Sequence, residues 1–234
     1  MNHAILLSGG RGTRAGSDIP KQYIEVRGRM MITYSLKTLL ECERIDAIYI
    51  VAEEAWRERI SEEAEATAVC GNKIKAFVTP GPTRQMSIFN GIKEIIKDFG
   101  DIPETDTVLI HDAARPFLTL RLLKACYEAL PGHEGVMPVL RMKDTVYKSQ
   151  DGRTVSALLK REEIFAGQAP ELFLLKPYLR ANEELMPEKI LSVNGASEPA
   201  VMAGMDIAMI PGDEGNFKVT TDADLSRFKE ITEA

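Results

Sequence analysis

The sequence predicts an α/β fold in which a mainly parallel sheet carries helices on both faces. Four short apolar runs, at residues 4–7, 47–52, 74–78 and 106–110, have the length of buried strands. Longer segments with apolar residues at helical spacing separate these runs. Because parallel neighbours need a long crossover between them, this alternation indicates a parallel sheet in the first half of the chain.

The other elements follow from the same patterns. Helices are predicted at residues 30–40, 53–68, 84–97, 176–186 and 221–231, and further strands at 24–26, 135–139, 163–175 and 206–210. The sequence contains no internal repeat, low-complexity tract or linker. Residues 1–234 are therefore expected to form one domain.

Residues 139–160 are predicted to form a β-hairpin arm. Residues 142–148 alternate polar and apolar side chains, residues 150–153 make a turn, and residues 154–159 return. A single hairpin buries little apolar surface on its own chain. A surface flap and an arm packed against a second copy both satisfy this pattern.

Composition narrows the possible function classes. The formal net charge of -6 and the absence of a Lys/Arg cluster argue against a nucleic-acid partner. No apolar run approaches the ~20 residues of a membrane span, and the N-terminus lacks the pattern of a signal peptide. The three cysteines, Cys42, Cys70 and Cys126, have no C-x-x-C spacing. These features predict a cytoplasmic protein with reduced thiols and no membrane association.

A glycine-rich loop follows the first strand. Residues 8–14 (SGGRGTR) expose backbone N–H groups that no Cβ shields, and Arg11, Arg14 and Lys21 add positive charge. This combination favours a polyphosphate ligand, although an ordinary glycine turn with solvated cations has the same pattern.

The loop differs from two known phosphate-binding motifs. No Gly-Lys-Ser/Thr follows the glycines, which excludes a P-loop. Gly10-x-Gly12-x-x-Ala15 matches the dinucleotide fingerprint and keeps an NAD-binding oxidoreductase as an alternative. That fingerprint needs a helix, whereas Pro20 and the residues before it are expected to keep the chain extended through Lys21.

Three loops are expected to meet at the carboxyl edge of the sheet: the glycine loop, residues 81–87 and residues 111–116. Asp112 can hold Mg²⁺ or a ribose hydroxyl there, or cap a turn. His111 is expected to pack in the core, with a ligand or base role as the alternative. Arg115 can face a phosphate.

The remaining candidates have weaker signals of their own. Arg84 and Ser87 begin a predicted helix, where they can bind an anion, contact a base edge or form an ordinary first turn. Lys218 lies between the last strand and the final helix, where a single lysine is usually solvated.

The order of these motifs resembles a known enzyme family. The chain carries SGGRGTR at 8–14, PKQY at 20–23, HDAARP at 111–116, Asp144-Thr145, Arg161 and NFKVT at 216–220. Together they resemble the cytidylyltransferases that make CDP-methylerythritol in isoprenoid synthesis, and the similar ribitol-5-phosphate cytidylyltransferases of teichoic acid pathways. The resemblance spans essentially the whole chain, and PKQY combined with HDAARP is highly specific to this group.

This resemblance implies a Rossmann-like nucleotidyltransferase three-layer sandwich, a homodimer joined through the arm, and Mg²⁺-dependent reaction of CTP with a polyol phosphate. Charge on the α-phosphate would be stabilised by Arg14, Lys21 and Lys218. CTP would be held by Ser8, Gly9, Gly10, Gly12, Gly81, Arg84 and Ser87. The polyol phosphate or its metal would be held by Asp112, Arg115, Thr145 and Arg161, with Asp112 as the metal ligand and the last two reaching across the dimer. Because the acceptor phosphate is already ionised, the reaction needs no general base.

The chain departs from the family in the acceptor half. The family usually has Gln-Thr-Pro-Gln where residues 168–171 are QAPE, and a Thr-Asp pattern where residues 193–197 are VNGAS. Pro82 also replaces an acidic residue expected next to Gly81. Both family threonines contact the polyol phosphate in the methylerythritol enzymes, so Ala169 and Val193 predict an altered acceptor preference. A non-catalytic nucleotide-binding homologue is a further alternative.

Overall fold

Strands and helices alternate along most of the chain. The structure, a computed structural model, describes residues 1–10, 19–67 and 73–233. Its strands are β1 (Asn2–Leu7), β2 (Glu25–Val26), β3 (Arg29–Met30), β4 (Ala47–Val51), β5 (Ile74–Val78), β6 (Thr107–Asp112), β7 (Gly135–Arg141), β8 (Tyr147–Lys148), β9 (Ala157–Leu158), β10 (Phe165–Gly167), β11 (Glu171–Leu174) and β12 (Ile207–Pro211). Its helices are α1 (Met31–Glu41), α2 (Glu54–Glu65), α3 (Arg84–Phe99), α4 (Leu120–Ala129), α5 (Leu175–Glu183), α6 (Glu198–Met202) and α7 (Asp222–Glu233).

The central sheet is mainly parallel, as the sequence predicts. Its described strands follow the order β10-β7-β11-β6-β1-β4-β5, and β12 pairs with β7. The four strands β6, β1, β4 and β5 run parallel to one another. Strand β11 runs antiparallel to both β6 and β7. The predicted α/β fold is confirmed, and the carboxyl ends of β1, β5 and β6 lie at one edge of the sheet.

Helices cover both faces of the sheet. Strand β4 illustrates this arrangement, because all five of its residues are buried and they alternate between two apolar clusters. Ile48 and Ile50 pack on the side of α1, α2 and α4, whereas Tyr49 and Val51 pack on the side of α3 and α5. A strand buried on both faces is apolar at every position. Cys42 and Cys126 are buried free thiols within the first cluster.

Three differences from the sequence predictions concern the glycine-loop segment and the arm, besides shifts of a few residues at other element ends. Pro20 is extended, but Lys21–Tyr23 forms a 3-10 turn closed by a bond from the Tyr23 N–H to the Pro20 carbonyl, so the extension expected through Lys21 is wrong at its end. Residues 11–18 of that segment lie outside the described residues. The single strand predicted at 163–175 is two strands, β10 and β11. Strand β10 ends at Gly167, although the Gln168 N–H still donates to the Pro138 carbonyl of β7, and Pro170 has no N–H with which to continue the ladder. The predicted arm also begins too early, since residues 139–141 belong to β7.

The predicted hairpin is present between β7 and β10. Tyr147 pairs with Leu158 and Lys148 with Ala157, and the Asp151 carboxylate accepts hydrogen bonds from the N–H groups of Arg153 and Thr154. The arm carries three large apolar side chains that the rest of the described chain leaves 57–67% exposed: Tyr147, Val155 and Leu158. Among the described residues, no helix combines the length and apolar character needed to cross a membrane.

Candidate active site

The three predicted loops meet at the carboxyl edge of the sheet. Gly9 follows β1 and lies so close to Pro80, after β5, that a Cβ on the glycine would be 2.4 Å from the proline ring. The Arg84 side chain, at the start of α3, bridges to Asp112 at the end of β6. The glycine loop, the β5–α3 turn and the end of β6 are therefore in contact.

The β5–α3 turn is built to present Arg84. The Thr83 hydroxyl caps α3 by accepting a hydrogen bond from the Met86 N–H, at 3.2 Å. A Cβ on Gly81 would be 2.5 Å from the Met86 Cβ, so only glycine fits this close turn. The Ser87 hydroxyl accepts from the Gly81 N–H at 3.0 Å and donates to the Thr83 carbonyl at 2.9 Å. In this structure Ser87 stabilises the turn.

Gln22 and Tyr23 attach the Lys21 segment to the glycine loop. The Gln22 amide donates to the carbonyls of Ser8 and Gly10, both at 2.6 Å, and the Tyr23 hydroxyl donates to the Ser8 carbonyl at 2.9 Å. Both side chains are buried. Neither residue was predicted to have a role of its own. The signal that could have found them is the PKQY motif, to which both belong.

Ser8 and Gly10 differ in what they offer a ligand. The hydroxyl and the N–H of Ser8 both donate to the Val51 carbonyl, at 2.7 and 2.9 Å, which ties β1 to β4. Gly10 has open space where a Cβ would lie. The hydroxyl and the N–H of Ser8 are therefore both used in bonds within the protein, whereas a ligand has room to approach Gly10. Gly12 and Arg14 lie outside the described residues.

Asp112 is the centre of a charged cluster. Its Oδ1 accepts from Arg84 Nε at 3.1 Å and lies 3.1 Å from Arg84 Nη2 in an ion pair. Its Oδ2 accepts from Lys218 Nζ at 3.0 Å. The Arg115 Nε lies 3.9 Å from Oδ2, and the Arg115 Nη1 donates to the Asn216 carbonyl at 2.8 Å. Lys218 is 106 residues away from Asp112 in sequence. Four of the predicted site residues are therefore brought together: Arg84, Asp112, Arg115 and Lys218.

The charges around Asp112 keep it ionised. Burial alone would raise the pKa of its carboxyl group, but the positive charges of Arg84 and Lys218 outweigh burial and lower that pKa below its usual value. The Lys218 side chain remains 37% exposed, whereas that of Asp112 is 11% exposed. A ligand can therefore reach the Lys218 ammonium group while the buried Asp112 carboxylate keeps that group in place.

A second carboxylate, Glu171, lies beside this cluster. Its Oε1 is 3.9 Å from Arg84 Nη2, and its buried Oε2 has no hydrogen-bond partner within the described part of the chain. Burial raises the pKa of the Glu171 carboxyl group, with Arg84 acting in the opposite direction. In the sequence this position stands out only as a departure from the family pattern. The signal that could have found it is that Glu171 is a charged residue directly before the apolar segment 172–175.

The two replaced threonine positions have different environments. Val193 is 5% exposed and packs with Phe89, Leu185 and Ile190 in a separate apolar cluster. Ala169 is also buried, and its carbonyl accepts from the Asn216 amide at 2.7 Å. Val193 thus adds apolar packing beside α3 where the family pattern has a hydroxyl.

Thr145 and Arg161 lie in the arm and are not in contact with the Asp112 cluster in this chain. Arg161 donates to the Lys143 carbonyl at 2.9 Å, and a pocket on the arm is lined by Thr145, Lys160 and Arg161 among others. No residue of the Asp112 cluster lines that pocket.

His111 packs in the core, and its ring is neutral at ordinary pH. The ring is fully buried, which lowers its pKa to about 4, and its Nε2 lies 3.1 Å from the Arg115 carbonyl. Because a carbonyl can only accept, Nε2 carries the proton. In the unfolded chain the pKa of histidine is near 6.5, so acid favours unfolding between those two values.

We therefore expect the free energy of unfolding to fall by about 3 kcal/mol as the pH decreases from about 6.5 to about 4, through His111 alone. His3, whose pKa burial also lowers, acts in the same direction. Denaturant unfolding at both pH values, for wild type and His111→Gln, checks this. The variant should lose less stability in acid, and equal losses would show that His111 is not responsible.

The donor set around Asp112 fits a magnesium ion that is held largely by substrate. Mg²⁺ is usually bound by one or two carboxylates together with phosphate oxygens and water. Within residues 1–10, 19–67 and 73–233 there is no group of three or more His, Cys, Asp or Glu side chains that could hold a metal by themselves. Among the described residues at this edge, Asp112 has the position and charge that a protein ligand would need.

A mainly parallel sheet whose carboxyl edge joins a glycine loop to a carboxylate and several cations is suited to binding the phosphates of a nucleotide, and the relatives of this chain make it a nucleotidyltransferase. The chain belongs to the IspD family, 2-C-methyl-D-erythritol 4-phosphate cytidylyltransferase, whose family model matches residues 2–233. None of the relatives described below is named as a dinucleotide-binding oxidoreductase.

Named relatives cover nearly the whole chain. The 2-C-methyl-D-erythritol 4-phosphate cytidylyltransferase of Thermotoga neapolitana is 35% identical over 96% of this chain and 94% of its own. The ribitol-5-phosphate cytidylyltransferase of Streptococcus agalactiae is 28% identical over 100% and 96%. The bifunctional IspD/IspF enzyme of Maricaulis maris is 35% identical over 96% of this chain, which spans 55% of that enzyme. The crystal structure of 4-diphosphocytidyl-2C-methyl-D-erythritol synthase from Anaerococcus prevotii superposes with a TM-score of 0.82 at 26% identity, covering 100% of this chain and 96% of that one.

Proposed function

We propose that this chain transfers a cytidylyl group from CTP to a small polyol phosphate. The observation that carries the proposal is the cluster at the sheet edge, where Lys218 and Arg84 both contact Asp112 beside the glycine loop. An oxygen of the acceptor phosphate would attack the α-phosphorus of CTP, the bond to the β-phosphate would break, and pyrophosphate would leave.

The residues of this site would act by holding and neutralising charge. The acceptor phosphate is ionised before it binds, so the reaction depends on position and on electrostatic stabilisation of the transition state. We assign this work to Lys21 and Lys218, together with Arg14. Gly9, Gly10, Gly12, Gly81 and Arg84 would hold the triphosphate, with Ser8 and Ser87 stabilising the turns around it. Mg²⁺, held by Asp112 and phosphate oxygens, would supply further charge neutralisation.

The acceptor pocket is expected to differ from that of a typical methylerythritol enzyme. Arg115 would face the acceptor phosphate, while the hydroxyl groups that the family pattern places at 169 and 193 are absent. The acceptor is therefore 2-C-methyl-D-erythritol 4-phosphate or an alditol phosphate such as ribitol 5-phosphate, which would place the enzyme in isoprenoid or teichoic acid synthesis, respectively. Both acceptors appear in the names of relatives.

Pyrophosphate release tests this proposal and selects the acceptor. The protein is incubated with CTP, Mg²⁺ and one member of a panel: 2-C-methyl-D-erythritol 4-phosphate, ribitol 5-phosphate, another pentitol phosphate or glycerol phosphate. We expect release with one acceptor and loss of release when EDTA removes the metal. CTP binding without release on any acceptor would instead support a non-catalytic nucleotide-binding homologue.

We further propose that two copies of the chain pair through the arm. Tyr147, Val155 and Leu158 expose apolar surface that a second copy would cover. Thr145 and Arg161 would then act at the partner's site, which explains why the arm holds them apart from the Asp112 cluster of their own chain.

Mixed dimers test action across the interface. Lys218→Ala and Arg161→Ala proteins are prepared separately, mixed under conditions that exchange subunits, and assayed for pyrophosphate release. If Arg161 acts in the partner, each mixed dimer regains one intact site, so activity should rise above that of either variant alone. Mixing Lys218→Ala with Asp112→Asn is the matched control, because both changes lie in the same sheet-edge site and no intact site results. No gain in the first mixture would place Arg161 in its own chain's site or outside both.

A further inference from the structure

The segment that carries Lys218 is attached to the turn between β10 and β11. Gln168, in that turn, uses both ends of its amide on this segment: Nε2 donates to the carbonyls of Asp213 and Asn216 at 2.8 and 3.2 Å, and Oε1 accepts from the Asp213 N–H at 3.0 Å. Gln168 is 4% exposed. A buried amide that forms three bonds to one loop holds that loop in a single position.

Asn216 completes the attachment from the other side. It is fully buried, and its Nδ2 donates to the Ala169 carbonyl at 2.7 Å. Its own carbonyl accepts from Arg115 as well as from Gln168. Amide side chains therefore join residues 168–169 to residues 213–216 in both directions, and we call these contacts the amide clamp.

Lys218 lies just beyond this clamp and before a second fixed point. The Val219 N–H donates to the Ala114 carbonyl at 2.8 Å, so the backbone is held on both sides of the lysine. Its Nζ is thereby kept 3.0 Å from Asp112. A long, half-exposed lysine side chain has much rotamer freedom, and fixing its backbone is what keeps its charge in place.

The clamp also connects Lys218 to the base of the arm. Gln168 directly follows β10, whose Gly167 pairs with Val139 of β7. The Gln168 N–H donates to the Pro138 carbonyl at 2.8 Å, and the Gly212 N–H donates to the Val139 carbonyl at 2.9 Å. Both halves of the clamp thus rest on the strand that leads into the arm.

We propose that Gln168 and Asn216 are positioning residues for cytidylyl transfer, because they hold residues 213–218 so that Lys218 stays at Asp112. This inference rests on the role proposed for Lys218. Both side chains are buried and bonded to the protein, so neither is expected to contact the reacting atoms. Their effect should therefore appear mainly in kcat and should pass through Lys218.

The test uses amide-to-acid changes that keep the shape of each side chain. Gln168→Glu replaces a donor that faces two carbonyls with an acceptor, and Asn216→Asp does the same towards Ala169. Asn182→Asp is the matched control, since Asn182 is also fully buried and donates to a backbone carbonyl, at Tyr178 in α5. All three should lower the melting temperature. Only the clamp variants should lower kcat, by about 10- to 100-fold, as expected for a catalytic group displaced by about 1 Å.

Two further readouts separate positioning from general loss of stability. The protonated form of the new acid in Gln168→Glu can again donate one hydrogen bond, so its kcat relative to wild type should rise as the pH falls from about 8 to about 5. In a Lys218→Ala background, Gln168→Glu should cause no additional loss, because residues that act through one group are not additive.

Several outcomes would overturn the inference: a Gln168→Glu kcat equal to that of Asn182→Asp, no change of relative kcat with pH, or a full additional loss on top of Lys218→Ala. If Gln168→Glu fails to fold, Asn216→Asp supplies the same comparison. If wild type releases no pyrophosphate with any acceptor, the proposed function has failed, and the Lys218–Asp112 distance in crystals of the clamp variants then decides the inference alone. An unchanged distance would contradict it.

Discussion

Replacement of Lys218 by alanine is expected to lower kcat by about 10²- to 10³-fold while leaving the fold intact. The loss has this size because one preorganised charged donor at a transition state is worth about 3–4 kcal/mol. Lys218 is held at Asp112 at 3.0 Å, yet its side chain is 37% exposed and free to contact substrate. Initial rates of pyrophosphate release at saturating CTP and acceptor measure the effect.

Lys176 provides the matched control for this change. It forms a 2.8 Å ion pair with Glu104, away from the sheet edge, and its side chain is 31% exposed. Lys176→Ala thus removes a lysine of similar exposure and similar pairing. Because Lys176 lies away from the site, kcat should stay within about twofold of wild type, and because exposed ion pairs contribute little to stability, the fold should be retained. Near-normal turnover by Lys218→Ala would remove Lys218 from the proposed mechanism, and the same result for Lys21→Ala would remove Lys21.

The second large effect is expected for Asp112→Asn. This change keeps the shape of the side chain but leaves Arg84, Arg115 and Lys218 without their shared carboxylate. We expect activity to fall by at least about 10²-fold and the response to Mg²⁺ concentration to weaken. The free energy of unfolding should also fall, by roughly 1–3 kcal/mol, because hydrogen bonds to a charged group are lost.

The pH dependence of that stability loss has a definite sign. The pKa of Asp112 is lower in the folded protein than the value of about 4 in an unfolded chain, so its contribution is present above about pH 4 and disappears as the pH falls further. The difference in stability between wild type and Asp112→Asn should therefore narrow in acid. A difference that stays constant would mean that the charge of Asp112 does not stabilise the fold.

Asp106→Asn is the control for this prediction. Asp106 is also buried and lies next to the opposite end of β6, where it contacts the N-terminal amine and His3. Its loss should reduce stability without a comparable loss of kcat. If both variants lose activity equally, the effect of Asp112→Asn comes from the strand and not from the site.

Local patterns predict much of this protein because they report local physics. Strand β4 could be placed since five consecutive apolar residues suit a strand that is buried on both faces. Helix α3 could be placed since apolar residues recur at helical spacing along it. Three loops could be assigned to one edge because parallel strands end on the same side. The PKQY and HDAARP motifs could be assigned to a family because they are unusual combinations.

Contacts between distant residues could not be predicted in this way. The clamp joins Gln168 to a segment 45–48 residues later, and nothing in the local sequence pairs the two. Val193 replaces a family threonine, and the sequence shows only that a hydroxyl is absent. The surrounding apolar cluster, which shows that Val193 also adds packing, is visible only in the structure. Ser8 was predicted to bind CTP, but in the structure its hydroxyl donates to the Val51 carbonyl.

The sequence by itself determined the α/β class, the parallel sheet, the hairpin and the family, because each depends on periodicity, turn residues or motifs that lie within short stretches. Only the tertiary structure decided how charge is distributed at the site. It brought Lys218 to Asp112 across 106 residues and placed Glu171 beside Arg84. Electrostatic interactions and burial depend on the distances between side chains in space. Those distances are set by the folded structure and cannot be read from the separation of residues in the sequence.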